Sequence, residues 1–247
     1  MALPLDVYDI GRMDYRQAWS LQRLLQKRLI DQKLEARHKP DPKQAKPIPD
    51  SLLLTEHPHV YTLGKSGDQA NLLKGLAELQ QLDAEYIEID RGGDITYHGP
   101  GQLVGYPILD LDRHFTDVHK YLRYLEEVII RTCAEYGLNA GREEGLTGVW
   151  IGDRKICAMG IRCSRWVTMH GFALNVHTDL SYFSNIVPCG IANKQVTSLE
   201  QELGTSPDPD EVKKRVTGHL EDVFGVTATY RAVPPGWLAK AQKAAAG

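Results

Sequence analysis

The chain has 247 residues, of which 42% are hydrophobic and 25% charged, with a formal net charge of −3. It is long enough to bury a large core without disulfide or metal staples, its balance gives no general attraction to nucleic acid or anionic lipid, and no apolar run approaches the ~20 residues of a membrane span. The start, Met1-Ala-Leu-Pro-Leu-Asp-Val-Tyr, has no basic stretch leading into an apolar one and no Arg/Ser richness, so no secretory or transit peptide is expected and the expected compartment is the cytoplasm.

Residues 5–10 alternate weakly and read as a first strand. Tyr15 to Leu34 has helical spacing, with Ala18, Leu21, Leu24, Leu25 and Leu29 on one side, Lys27, Arg28 and Gln32 on the other, and Asp14 as N-cap. The insert 38–49 is rich in Pro and Lys with almost nothing to bury, and reads as a mobile surface loop. Ser51 to Thr55 is a buried strand, interrupted by His57-Pro58-His59 and resumed at Val60 to Leu63. Gly64-Lys65-Ser66 imitates a phosphate loop, but the pattern requires glycine where His59 stands. Residues 69–83 suggest a loop with a short helix, and 86–90 another strand. Residues 91–107 set two glycine clusters around a polar strand-like piece and a second strand from Leu103, a Gly-rich hairpin in its simplest form. Thr116 to Tyr136 is an amphipathic helix ended by Gly137, and Gly148 to Lys155 a hairpin turning at Gly152-Asp153.

Two apolar runs follow, Lys155 to Ile161 and Val167 to Val176. On a strand, Lys155, Cys157, Met159, Ile161 and Cys163 share one face and Ile156, Ala158, Gly160 and Arg162 the other. Ala158, Gly160, Gly171 and Ala173 are small enough to leave room for a ligand or another backbone. Asp208 and Pro209 open a last long helix to Phe224, Val226 to Tyr230 closes as a strand, and 238–247 reads as a frayed tail. Without a regular βαβ rhythm the class is α+β, a mixed sheet packed with helices in a single catalytic domain, 1–247.

The four cysteines, Cys133, Cys157, Cys163 and Cys189, have neither zinc-site nor disulfide-scaffold spacing. Three read as buried fillers. Cys189, between Pro188 and Gly190, has the context of an exposed thiol cradled by backbone. Lys155 heads an otherwise apolar run: at a strand edge it simply reaches solvent, whereas partly desolvated in a pocket it exchanges protons with a thiol. The expectation is that Lys155 and Cys189 meet. His98 and His170 compete for the same partnership, although His170-Gly171 also reads as strand packing. A metal site from His57, His59, His98 and His170 lacks ligand spacing, and none is expected.

Taken together, Arg91-Gly-Gly-Asp-Ile-Thr-Tyr-His-Gly-Pro-Gly-Gln-Leu-Val, Lys155-Ile-Cys-Ala-Met-Gly-Ile-Arg, His170-Gly-Phe-Ala-Leu-Asn-Val, Asp179-Leu, Pro188-Cys-Gly and Thr197-Ser-Leu resemble the lipoyl(octanoyl) transferases in order and spacing. The resemblance implies a lipoate/biotin protein ligase-like fold, related to class II aminoacyl-tRNA synthetases. It also implies transfer of octanoyl from acyl carrier protein to a lysine of lipoyl-carrier domains, namely the E2 subunits of 2-oxoacid dehydrogenases and the glycine cleavage H protein. By position, Cys189 matches the acyl-thioester cysteine and Lys155 the lysine that tunes it. Arg91, Gly92, Gly93, Asp94, Ile95, Thr96, Tyr97 and His98, with Ala158, Met159, Gly160, Gly171, Phe172 and Ala173, match the acyl-substrate stretches, and an apolar slot near Tyr97 and Ala158 is expected. No cofactor, nucleic acid or membrane is called for, and a monomer is expected. The rival readings are an ATP-dependent lipoate ligase on the same fold, with Lys155 on an adenylate phosphate, and a non-catalytic carrier-binding module.

Overall fold

The computed structural model describes residues 2–37, 48–187 and 195–245. Pro188, Cys189 and Gly190 lie outside the described residues, as do 38–47 of the expected insert. In chain order the elements are β1 (Leu3–Arg12), α1 (Tyr15–Arg37), β2 (Asp50–Glu56), β3 (Val60–Leu63), α2 (Leu76–Gln81), β4 (Glu85–Glu88), β5 (Ile95–His98), β6 (Gln102–Ile108), α3 (Val118–Glu135), β7 (Val149–Ile151), β8 (Arg154–Ser164), β9 (Val167–Asn175), β10 (Gln195–Val196), α4 (Leu199–Leu203), α5 (Pro209–Phe224), β11 (Val226–Tyr230) and α6 (Pro235–Ala245).

The main sheet is mixed, as expected. It runs β10-β8-β9-β6-β2-β1-β11 with β7 also on β8, and a smaller sheet runs β4-β3-β5. Alternation along β2 shows how the main sheet is buried on both faces. Leu52 and Leu54 join Leu125, Val128 and Ile129 of α3 and Val212, Val216 and Leu220 of α5. Leu53 joins Ala18, Leu21, Leu25 and Leu29 of α1. The expected caps form: Asp14 accepts from the Gln17 N–H at 3.1 Å and Asp208 from the Asp210 N–H at 2.9 Å.

The strand expected to resume after His57-Pro58-His59 does so in a different sheet, and the Gly-rich hairpin does not form. Instead 51–63 pairs with 95–108 as one long antiparallel ladder broken in the middle. Ser51 faces Ile108 through Thr55 facing Val104, then Val60 faces His98 through Leu63 facing Ile95. His-Pro-His on one side and Gly99-Pro-Gly on the other remove the donors and the stiffness that would keep the ladder flat. The strands fold over at this break and continue into the second sheet. The tail expected to fray is helical to Ala245. Ala241 is buried against α1, and the Trp237 ring lies 5.0 Å from that of Tyr8. None of the described helices is long and apolar enough to cross a membrane.

Candidate active site

A cavity of about 480 Å³ lies where the two sheets part, within the range of small-molecule sites. Its walls are the loop Arg91–Asp94 with β5, the middle of β8 and β9, Val118 and Leu122 of α3, the loop bearing Gly145, Leu146 and Thr147, and Tyr15, Val104 and Tyr106; Lys155, Phe183 and Val196 also line it. Every residue expected in the acyl-substrate stretches is on this lining except Tyr97. Tyr97 is fully buried elsewhere: its ring stacks on Tyr182 with centroids 5.0 Å apart, and its hydroxyl is 2.8 Å from His59 Nδ1. The slot therefore runs past Ala158 but not past Tyr97.

Gly160 and Gly171 face each other across β8 and β9, and the space they leave is filled by backbone. A Cβ on Gly160 would stand 2.9 Å from both the Gly92 carbonyl oxygen and Arg91 Cδ, and one on Gly171 would stand 2.3 Å from the Gly105 carbonyl oxygen. The Arg91–Gly93 loop can thus lie directly on β8, where the Gly92 N–H donates to the Ile161 carbonyl at 2.8 Å. Arg91 is buried and ties this loop to β3, donating to the Thr62 carbonyl at 2.7 Å and to Thr62 Oγ1 at 3.1 Å.

Lys155 sits in β8 between Trp150 of β7 and Val196 of β10. Its Nζ lies 4.7 Å from the Trp150 ring centroid, a cation–π contact. Strict alternation sets Lys155 and Ala158 on opposite faces, yet both line the cavity. The ladder with β7 slips here: Trp150 faces Lys155 while Val149 faces Cys157, leaving Ile156 with no residue opposite it on β7. A bulge of this kind bends the strand and re-aims side chains beside it, so period two alone does not fix which way Lys155 points.

A buried chain of hydrogen bonds joins His98 to the backbone of Lys155. His98 Nδ1 donates to Gln102 Oε1 at 2.8 Å, Gln102 Nε2 donates to Asn175 Oδ1 at 2.9 Å, and Asn175 Nδ2 donates to the Thr197 carbonyl at 2.9 Å. The Thr197 N–H then donates to the Lys155 carbonyl at 2.9 Å. Burial first, then the neighbouring His57, pushes the His98 imidazole well below its ordinary range, so it is neutral.

His170 lines the same cavity and is held by two hydrogen bonds. Its N–H donates to Gln22 Oε1 at 2.9 Å and its Nε2 donates to Asp90 Oδ1 at 2.9 Å, while its Nδ1 is buried with no partner among the described residues. It takes φ +61°, a conformation that costs a non-glycine residue unless its surroundings hold it. Burial lowers its pKa against the pull of Asp90. Asp90 itself is held below the usual carboxylate range: burial works the other way, and the His170 hydrogen bond with the Arg162 and Arg23 charges overcome it. His170 faces Ile161, six residues along β8 from Lys155, which is roughly 20 Å at the strand rise. It serves the far end of the cavity rather than the Lys155 end.

The described thiols are poor nucleophiles. Burial pushes Cys133 up to about 12 and raises Cys157 and Cys163 as well. Cys189 lies outside the described residues, but chain on both sides of it reaches the cavity. Phe183 and Val196 line it, and the Val187 N–H donates to the Asn71 carbonyl at 2.8 Å. Among the described residues no group of three or more His, Cys, Asp or Glu could hold a metal ion. His57 spends both ring nitrogens on the Met13 carbonyl and the Tyr106 hydroxyl, at 2.8 and 2.7 Å. Sequence reasoning missed Tyr15, Tyr106, Val118, Leu122, Leu146 and Phe183. Val118 and Leu122 belonged to an apolar helix side that reads only as packing, and the others carried no local signal.

Residues 14–221 match the family described as the lipoyl protein ligase A/B catalytic domain. The chain is 58% identical over 224 residues to the octanoyltransferase of Cytophaga hutchinsonii, covering 88% of this chain and 91% of that protein. It is 56% identical over 226 residues to the octanoyltransferase of Flavobacterium johnsoniae, covering 89% and 96%. Among solved structures, a lipoate-protein ligase A bound with ATP superposes with a TM-score of 0.77 at 15% identity, over 100% of this chain and 95% of that one. The lipoate protein ligase of a Thermoplasma acidophilum lipoylation system gives 0.75 at 14%, over 99% and 92%. At those identities the structural likeness speaks for the fold, and the sequence likeness carries the assignment: the chain belongs to the lipoyl protein ligase A/B catalytic domain family and, within it, to the octanoyltransferases.

Proposed function

We propose that this protein transfers an octanoyl group in lipoate biosynthesis, from acyl carrier protein to a lysine of lipoyl-carrier domains, in two steps through a thioester on Cys189. In the first step the Cys189 thiolate attacks the octanoyl thioester carbonyl, the new C–S bond forms, and the carrier thiolate leaves and takes a proton. In the second, the neutral amine of the acceptor lysine attacks the Cys189 thioester, an amide forms, and the Cys189 thiolate leaves. Lys155 accepts the thiol proton in the first step and the ammonium proton in the second. One thioester is exchanged for another and then for a more stable amide, so no ATP is consumed. The reading includes a monomeric enzyme that works in the cytoplasm as a single catalytic domain. Its acceptors are E2 subunits and the glycine cleavage H protein.

The observation that carries the reading is a shared cavity. Lys155, the apolar residues Met159, Phe172 and Ala173, and the described chain on both sides of Cys189 all line it.

Mass spectrometry after mixing with octanoyl acyl carrier protein tests it. One octanoyl group should appear on Cys189 without ATP, be lost in Cys189→Ser and form at least tenfold more slowly in Lys155→Ala. An adduct that persists on Cys189→Ser, or a requirement for ATP, ends the assignment.

A further inference from the structure

The loop 141–148, Gly-Arg-Glu-Glu-Gly-Leu-Thr-Gly, lines the cavity at Gly145, Leu146 and Thr147. Gly141 is bridged to Trp150 by two backbone hydrogen bonds, of 2.8 and 2.9 Å, and a carboxylate beneath the loop holds the rest of it. Glu126 of α3 is fully buried. Its Oε1 accepts from the Gly148 N–H at 3.0 Å and is ion-paired with Arg123 Nη2 at 3.0 Å, and its Oε2 accepts from Arg142 Nε at 3.0 Å. Arg142 also donates to the Arg123 carbonyl and to Glu127, both at 2.9 Å. One carboxylate therefore ties both ends of the loop, at Arg142 and at Gly148, to a single helix.

Gly148 is where this clamp meets Lys155. It takes φ +124°, and a Cβ there would stand 2.6 Å from the Cys157 carbonyl oxygen and 3.5 Å from Lys155 Cε. The Gly148 backbone is thus pressed between the Glu126 carboxylate on one side and β8 with the Lys155 stem on the other. Leu146 and Thr147, just before it, face the cavity. A buried carboxylate is a poor device for stability, because an apolar side chain of similar volume often does as well. It is a good device for fixing one backbone N–H in one place.

We infer that Glu126 is a positioning residue for the transfer reaction: through the Gly148 N–H it fixes the backbone against which the Lys155 side chain lies, and so fixes where the ammonium group sits in the cavity. The inference rests on the proposed role of Lys155. It predicts that an acceptor atom at Glu126 matters for turnover and that the negative charge matters chiefly for stability.

The test is steady-state octanoyl transfer by the wild type, Glu126→Ala, Glu126→Gln and Lys155→Ala, at a temperature where circular dichroism shows each to be folded. Glu126→Ala should lower kcat at least tenfold with the KM for octanoyl acyl carrier protein within twofold. Glu126→Gln, which keeps an oxygen for the Gly148 N–H, should stay within threefold of wild type even where its Tm falls. A wild-type kcat in Glu126→Ala, or a loss in Glu126→Gln as large as in Glu126→Ala, overturns the inference. A wild-type kcat in Lys155→Ala overturns the reading on which it rests, and the inference with it. Should Glu126→Ala not fold, Arg142→Ala replaces it, because that side chain is 36% exposed. A severalfold loss of kcat at unchanged KM is then expected, and an unchanged kcat overturns the clamp.

Discussion

Nothing larger than hydrogen fits at Gly160, where the Arg91–Gly93 loop lies against β8 at van der Waals range. Gly160→Ala sets a methyl group 2.9 Å from the Gly92 carbonyl oxygen, and that atom is backbone, which yields less readily than the end of a side chain. Overpacking of this kind costs about 1–3 kcal/mol. Because the loop is itself a cavity wall, part of that cost falls on substrate binding. Octanoyl loading by Gly160→Ala is expected to fall roughly tenfold, measured as acyl-enzyme formed per second by mass spectrometry, with a Tm lower by a few degrees. At this scale much of the site was legible: smallness at Gly160 and Gly171 showed that something must approach closely. That it is the Arg91 loop and β6, rather than ligand, depends on strands far apart in sequence. Tyr97 shows the opposite case, a residue inside the right motif that turns away because the small sheet has two faces and one of them is packed by Tyr182.

At the scale of elements, α6 departs furthest from expectation. A run of Ala and Lys after Trp237 offers little apolar surface, and no sequence window shows that Tyr8 and α1 wait for it across more than 200 residues. Trp237 and Ala241 cover that surface. Burial on this scale is worth about 2–4 kcal/mol. A chain ending at Pro234 should therefore lose about that much unfolding free energy and unfold at a lower urea midpoint, followed by far-UV circular dichroism. A midpoint equal to that of the full chain would return the tail to the frayed state first expected of it. The bulge at Ile156 belongs to this scale too. Alternation along one strand cannot reveal a slip, because a slip is a relation between β7 and β8.

For the molecule as a whole, the polar groups buried at the sheet break couple folding to pH. Burial lowers His57 from its ordinary 6.5 to about 4, the hydrogen bond to the Met13 carbonyl only partly opposing it. Between those values the unfolded chain binds a proton that the folded protein refuses, so stability is full above about pH 6.5 and is lost as pH falls towards 4. The His57 contribution alone is about 3 kcal/mol, and His98 and His170 are lowered in the same direction. Urea midpoints measured from pH 7 to 4 should fall steadily. In His57→Gln the fall should be shallower, whatever the absolute stability of that variant; an equally steep fall in both would remove His57 as its source.

The sequence by itself determined the family and those elements with a strong local pattern, but not α6. Helix periodicity, caps and alternation are properties of neighbouring residues, and the motif order from Arg91 to Thr197 survives without coordinates. Only the tertiary structure decided which strands share a sheet, that the ladder breaks at His57-Pro58-His59 opposite Gly99-Pro-Gly, that the register with β7 slips beside Lys155, and that a glutamate on α3 ties down the loop beside it. Those are relations between segments distant in the chain. They are selected by which surfaces can be buried together with most of their polar groups satisfied, and no local pattern encodes that choice.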